Sequence, residues 1–251
     1  MRRLAAIFMA LTILLLTSTS AFALVDVEAR YWFTEMDGNV MATGGSLGGT
    51  NVGFVNDLGI DNSENFAEGR ITLELGNHKI RYGYMPLSWS GTRTLSQDIN
   101  FAGQTYSASS SVTTDIKLDL HRLAYEYDFI DLLNNRLGII AELKYIDARV
   151  NLKDAALGLD EQQSIAIPIP TVGVSAQVGL PFLFNVGGEV TGMSLGSKAY
   201  LVDAEAMVNF KPAPFVVIAG GYRYMKFHVE KGDDEIDFTL KGPFITLKAD
   251  F

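Results

Sequence analysis

From residue 24 onward, apolar and polar residues alternate with a period of two, the pattern of strands whose two faces meet different surroundings. In residues 24–33, Val25, Val27, Ala29, Tyr31 and Phe33 share one parity, while Asp26, Glu28, Arg30 and Trp32 share the other. Ile71, Leu73 and Leu75 alternate with Arg70, Thr72 and Glu74, and Tyr200, Val202, Ala204, Ala206 and Val208 alternate with Asp203, Glu205, Met207 and Asn209. Helical periodicity is scarce, so the chain reads as all-β. The pattern predicts ten strands, at 24–34, 67–76, 78–88, 113–129, 136–150, 164–180, 183–194, 198–210, 214–229 and 235–251. Several exceed the usual soluble strand of about 5–6 residues and reach the roughly 9–11 that a tilted strand needs to cross a bilayer.

The connections alternate in length. Short turns fall at Gly76-Asn77, 131–135, 180–182 and 211–214, and longer links at 35–66, 89–112, 151–163, 195–197 and 230–234. An outer-membrane barrel shows this asymmetry, with short turns on the periplasmic side and an even strand number. The expected architecture is a closed antiparallel transmembrane β-barrel of about ten strands. Two links leave twelve open: 35–66, with a Gly-rich run and Asp57-Leu58-Gly59-Ile60-Asp61, and 91–110, which reads as a hairpin turning at Ala102-Gly103 beside Ile99, Phe101 and Tyr106. In 113–129 the parity slips, with Lys117, Asp119 and His121 in phase with Leu123, Tyr125 and Tyr127. Either a bulge near Leu120 or a strand that protrudes beyond the bilayer accounts for it.

Residues 1–23 have a basic start, an apolar run and a small-x-small end at Ala21-Phe22-Ala23. These are the parts of a secretory signal peptide, with an apolar run too short to span a membrane. The expected division is a signal peptide at 1–23 and a single barrel domain at 24–251. The whole chain carries a net charge of −9 with 20 basic and 29 acidic residues; removing Arg2 and Arg3 with the leader takes it to −11. That excess of acid argues against a nucleic-acid partner. With no cysteine, disulfide, thiolate-metal, iron–sulfur and lipoprotein chemistry are excluded.

In a membrane barrel the apolar parity faces lipid and the polar parity faces the lumen. The predicted lumen charges are Glu28, Arg30, Arg70, Glu74, Arg81, Arg122, Glu126, Glu142, Lys144, Glu189, Asp203, Glu205 and Arg223, with Asp26, Asp128, Lys248 and Asp250 toward the strand ends. Both signs run round the circumference, and charges held in a narrow barrel must be paired or hydrated. Tyr31, Phe33, Tyr82, Tyr84, Tyr125, Tyr127, Phe129, Tyr145, Tyr200, Phe210, Tyr222 and Tyr224 share the apolar parity near strand ends, as interfacial girdles require. The three histidines are weak catalytic candidates: His121 lies near Asp119, His228 near Asp233 and Asp234, and His78 follows a turn. Asn56, Asp57, Asp61, Asn62 and Glu64 offer oxygen ligands without the spacing of a calcium loop, so no metal or cofactor is expected.

The chain ends Ile245-Thr246-Leu247-Lys248-Ala249-Asp250-Phe251. Its apolar positions Ile245, Leu247, Ala249 and terminal Phe251 resemble the C-terminal signal read by the bacterial outer-membrane assembly machinery. With residues 57–61, 101–106 and 122–129, the mature chain also resembles small Gram-negative outer-membrane β-barrel proteins of the OmpA/OmpW-like kind. The resemblance implies location in the cell outer membrane, contact with its lipid and lipopolysaccharide, and a monomer. The function expected is a barrel with a charge-paired lumen in a non-enzymatic structural or surface-interaction role. The alternatives are a narrow porin-like channel for small solutes, an outer-membrane hydrolase or acyltransferase using His121 or His228, and a soluble exported β-sandwich.

Overall fold

A computed structural model describes residues 23–41, 50–101, 104–133, 135–231 and 234–251. Residues 1–22 of the expected signal peptide, and the Ala102-Gly103 turn, lie outside these. The strands in chain order are β1 (Ala23–Met41), β2 (Asn51–Gly53), β3 (Ser63–Leu75), β4 (His78–Thr94), β5 (Ile99–Phe101), β6 (Gln104–Tyr106), β7 (Ser111–Leu132), β8 (Asn135–Asp154), β9 (Leu159–Gly179), β10 (Phe184–Ser194), β11 (Ala199–Ala213), β12 (Val216–Lys231) and β13 (Asp234–Asp250). All except β2, β5 and β6 form the wall. Each wall strand pairs antiparallel with its neighbours, and β13 closes on β1 from Asp26↔Asp250 to Met41↔Glu235.

The wall is therefore a closed ten-strand barrel, and the twelve-strand alternative is set aside. Among the described residues, which leave out the Gly-rich stretch 42–49, the 35–66 link adds only β2, three residues laid on the upper end of β1, and the β5–β6 hairpin pairs with itself outside the wall. Every expected wall strand is present, and most run further upward than hydropathy indicated; β1 continues to Met41, β4 to Thr94 and β8 to Asp154. Following paired residues once round from Ala23, through Leu75, His78, Tyr127, Ile139, Val174, Val190, Ala204, Tyr224 and Lys241, returns to β1 at Glu35, a stagger of twelve residues. Stagger and strand tilt are linked in a barrel, with tilts of about 35–45° typical.

The lower wall is built for lipid. Ile71, Leu73, Ile80, Leu123, Ile139, Val174, Val190, Ile218 and Leu247 point outward and are exposed. With the stagger taken into account, exposed Tyr31, Phe33, Tyr84, Tyr145 and Tyr224 lie near one level at the top of this band, and Phe129, Phe184 and Phe251 near its bottom. The closed apolar wall makes this an integral membrane protein, not a soluble sandwich.

Above the band the wall inverts. On β7, Val112, Thr114, Ile116, Leu120, Arg122, Ala124 and Glu126 all point inward without a break in parity. The register with β4 and β8 is continuous through Leu120, and the irregularity falls between Asp128 and Ile130. Of the two expected causes, the bulge near Leu120 is set aside and the strand that protrudes beyond the bilayer remains. The phase slip arises because β7 rises out of the bilayer, so Asp115, Lys117 and Asp119 face water while Ile116 and Leu120 face an apolar interior.

Candidate functional site

Two layers fill the interior. In the lower layer Glu205 on β11 accepts hydrogen bonds from Arg30 on β1, at 2.6 and 3.0 Å, and from Arg70 on β3, at 3.0 and 3.1 Å. Arg70 also binds Glu68 at 2.7 Å, and Glu68 accepts from Arg223 at 3.1 Å. Arg223 grips Asp203 bidentately at 2.8 and 2.9 Å. Lys144 joins Asp203 at 3.2 Å and also donates to Glu142, which binds Arg122 at 2.6 Å. Arg122 continues to Glu189 at 3.0 Å, and Glu189 accepts from Arg81 at 2.6 Å. Charged pairs of this bidentate, multiply bonded kind offset their desolvation best.

Every charge that the sequence assigned to the lumen points inward, but they form a gradient. Arg30, Arg70, Arg122, Glu142, Lys144, Asp203, Glu205 and Arg223 are buried in one connected network. Glu28 touches Arg30 at 3.1 Å from its rim. Toward the periplasmic mouth the cations become partly exposed: Lys79 with Glu126 and Asp128, Arg136 with Glu74, and Lys248 with Asp26 and Asp250. Sequence reasoning missed Glu68, although it lies two residues before Arg70 on the same parity. It also missed Thr171 and Thr191, whose hydroxyls complete the coordination of Glu142; uncharged residues on that parity gave no signal.

The upper layer is apolar. Trp32, Met36, Phe66, Met85, Leu87, Trp89, Leu120, Met225, Leu240 and Phe244 form one buried cluster, extended by Phe54, Leu58 and Ile60 from the β2–β3 link and by Ile99 and Tyr106 from the hairpin. Arg30 lies over the Phe244 ring at 3.9 Å and Arg223 over the Trp32 ring at 4.9 Å, so cation–π contacts join the layers. Gly91 on β4 admits the β2–β3 link: it pairs with Ile60, and a Cβ there would stand 2.4 Å from the Gly59 carbonyl. Tyr106 donates its hydroxyl to the Leu152 carbonyl at 3.1 Å and tacks the hairpin to β8. Burial, with Glu161, Asp160 and Asp154 nearby, pushes this phenol up to about 12.

The histidines are on the outer wall. His121 meets the Tyr82 hydroxyl at 2.8 Å and the Tyr84 ring, while Asp119 accepts from the Tyr84 hydroxyl at 2.7 Å instead of pairing with His121. His228 stacks on Tyr200 and lies 3.3 Å from Asp237. Asp233 lies outside the described residues. His78 meets the Tyr125 hydroxyl at 2.6 Å. In the acidic link, Asp57 accepts the Gly53 amide at 2.8 Å, a turn-closing bond. Among the described residues no group of three His, Cys, Asp or Glu side chains is arranged to hold a metal ion. Ile245 and Leu247 face outward from β13 and Phe251 lies exposed at its lower end.

The outer membrane protease OmpT from Escherichia coli matches this fold over 94% of the present chain and 99% of its own, with a TM-score of 0.61 and 10% identity. The fold is that of an outer-membrane β-barrel. Neisserial surface protein A matches over 90% of this barrel and 97% of its own chain, at TM-score 0.41 and 13% identity. Ail of Yersinia pestis matches over 89% and 98%, at TM-score 0.39 and 10% identity. No protein-family model and no curated protein matches the sequence.

Proposed function

We propose that this protein is a closed, non-conducting barrel of the Gram-negative outer membrane, monomeric, that acts through its extramembrane surface and not by transport or catalysis. The observation that carries this reading is the stacking of a buried apolar core on a connected network of buried ion pairs. An ion crossing the lumen has to displace guanidinium–carboxylate pairs and then enter a layer lined mainly by apolar side chains, at a cost of several kcal/mol. The outward placement of His121 and His228 on the wall, each beside a tyrosine, favours interfacial anchoring over acid–base chemistry. The outward apolar positions Ile245, Leu247 and Ala249, with Phe251, are assigned to recognition by the assembly machinery, and the aromatic belt to contact with lipid and lipopolysaccharide.

The test is conductance of the refolded chain in a planar bilayer, after a heat-shift gel has established folding. Silence across a wide range of voltage is expected. Steady channels whose ion selectivity changes in Glu142→Gln would overturn the reading and install a narrow pore in its place.

A further inference from the structure

The wall is not level at its outer rim. β9 pairs with β8 along Leu159–Gln177 but with β10 only along Val172–Gly179. The β10–β11 hairpin turns back at Leu195–Lys198, near the aromatic belt, so the upper half of β9 has a free edge. On the far side of this notch β12 leaves β11 at Val229. Pro168 and Pro170 explain where pairing stops, since neither can donate a ladder hydrogen bond. Proline is tolerated in a sheet where its nitrogen faces the unpaired side, so the amides of that parity, Asp160, Gln162, Ser164 and Ala166, face the notch. The run Gln162–Ile167 carries no charge, bulge or proline, which are the usual guards of an edge strand.

We propose that this edge receives an extended basic peptide segment of a partner protein, which adds as a strand beside β9 in the place above the end of β10. The proposal rests on the surface-acting reading above and names the kind of partner. Main-chain pairing would supply affinity, and alternate side chains specificity. Ile165, on the inner face, is 49% exposed because no wall strand faces it across the notch, so it offers an apolar seat for one inward-facing peptide side chain. At the rim Asp160 lies 3.6 Å from Lys153 on β8 and Lys198 sits at the foot of the notch, so Glu161 at the head of β9 and Glu230 across the notch are the acids that a basic segment would meet. A second copy in the same membrane does not fit. Its barrel axis would be parallel to this one, so its tilted β9 would cross this strand instead of running antiparallel to it.

The test uses the refolded chain in zwitterionic micelles and a ten-residue peptide of alternating lysine and valine. Saturable binding is expected, with deuterium exchange slowed at Gln162, Ser164 and Ala166. The same peptide N-methylated at every second amide, and its glutamate–valine counterpart, should each bind at least tenfold more weakly. Ala166→Pro should weaken binding to the same extent while keeping the folded heat-shifted band. The N-methylated peptide leaves the protein unaltered, so the test stands even where that variant misfolds. Absence of binding to millimolar peptide, equal binding of the N-methylated form, or a dimer that already protects these amides would overturn the proposal. Conductance of the same preparation separates the two readings: a silent barrel that ignores the peptide loses only the strand-addition proposal, whereas a conducting one loses the surface-acting reading itself.

Discussion

Glu205 receives four hydrogen bonds from two arginines, so its removal leaves buried Arg30 with Glu28 alone and Arg70 with Glu68, itself shared with Arg223. Glu205→Ala is expected to cost about 3–5 kcal/mol, the range for breaking a buried ion pair, read as a lower urea midpoint in micelles. Exchanging the Arg223–Asp203 pair for apolar residues of similar volume should cost less, because Glu68 keeps Arg70 and Lys144 keeps Glu142 when they lose these partners. Above the membrane, Tyr106 behaves in the opposite way. Its phenol is raised from 10.0 to about 12 by burial first and by the nearby acids second. A raised pKa contributes stability that is complete below the unfolded value and is lost as pH rises between the two. The hairpin should therefore loosen between about pH 10 and 12, seen as faster exchange of the Gln104 and Thr105 amides; Tyr106→Phe should remove that window and cost about 1 kcal/mol at neutral pH for the lost hydrogen bond.

At the scale of the strand, one parity carries two chemistries. Ile139 faces lipid low on β8, and Ile139→Lys is expected to cost about 2–4 kcal/mol in vesicles, the penalty for a cation near the bilayer midplane. Lys117→Leu, higher on β7 and outside the apolar band, should change stability by less than about 0.5 kcal/mol. Comparing the two locates the bilayer boundary on the wall. This boundary also marks what was legible in the sequence. Ten strands, their order and the inward charges followed from alternation, since the pleat assigns faces by parity alone. Where a strand leaves lipid, inside and outside exchange polarity, and in sequence that exchange is identical to the phase slip of a bulge. Residues 115–121 therefore gave the right faces but left two causes open, and only the closed wall decides for the protruding strand over the bulge. The apolar upper core was unreadable for the same reason: Met36, Phe66, Leu87 and Leu120 occupy the parity that lower down belongs to the lumen charges. Glu68 was readable, whereas its neighbours across the lumen, set by the stagger of the closed sheet, were not.

Across the whole molecule, the seam between the first and last strands joins Asp26 to Asp250, and backbone bonds between Val25 and Phe251 fasten its lower end. The native contacts of longest sequence separation are thus also the ones that abolish the last open edges. Contact order of this kind slows folding, because closure entropy is lost before the pairing returns it. Arg30 and Glu205, 175 positions apart, meet only in the closed sheet, so the ion-pair layer matures with the seam. Until then, several guanidinium groups and carboxylates stand without their final partners on a curved sheet with two exposed edges. For this chain the committing step of biogenesis is ring closure, and an agent that shields the β1 and β13 edges until they meet would speed assembly without contributing to the stability of the finished barrel.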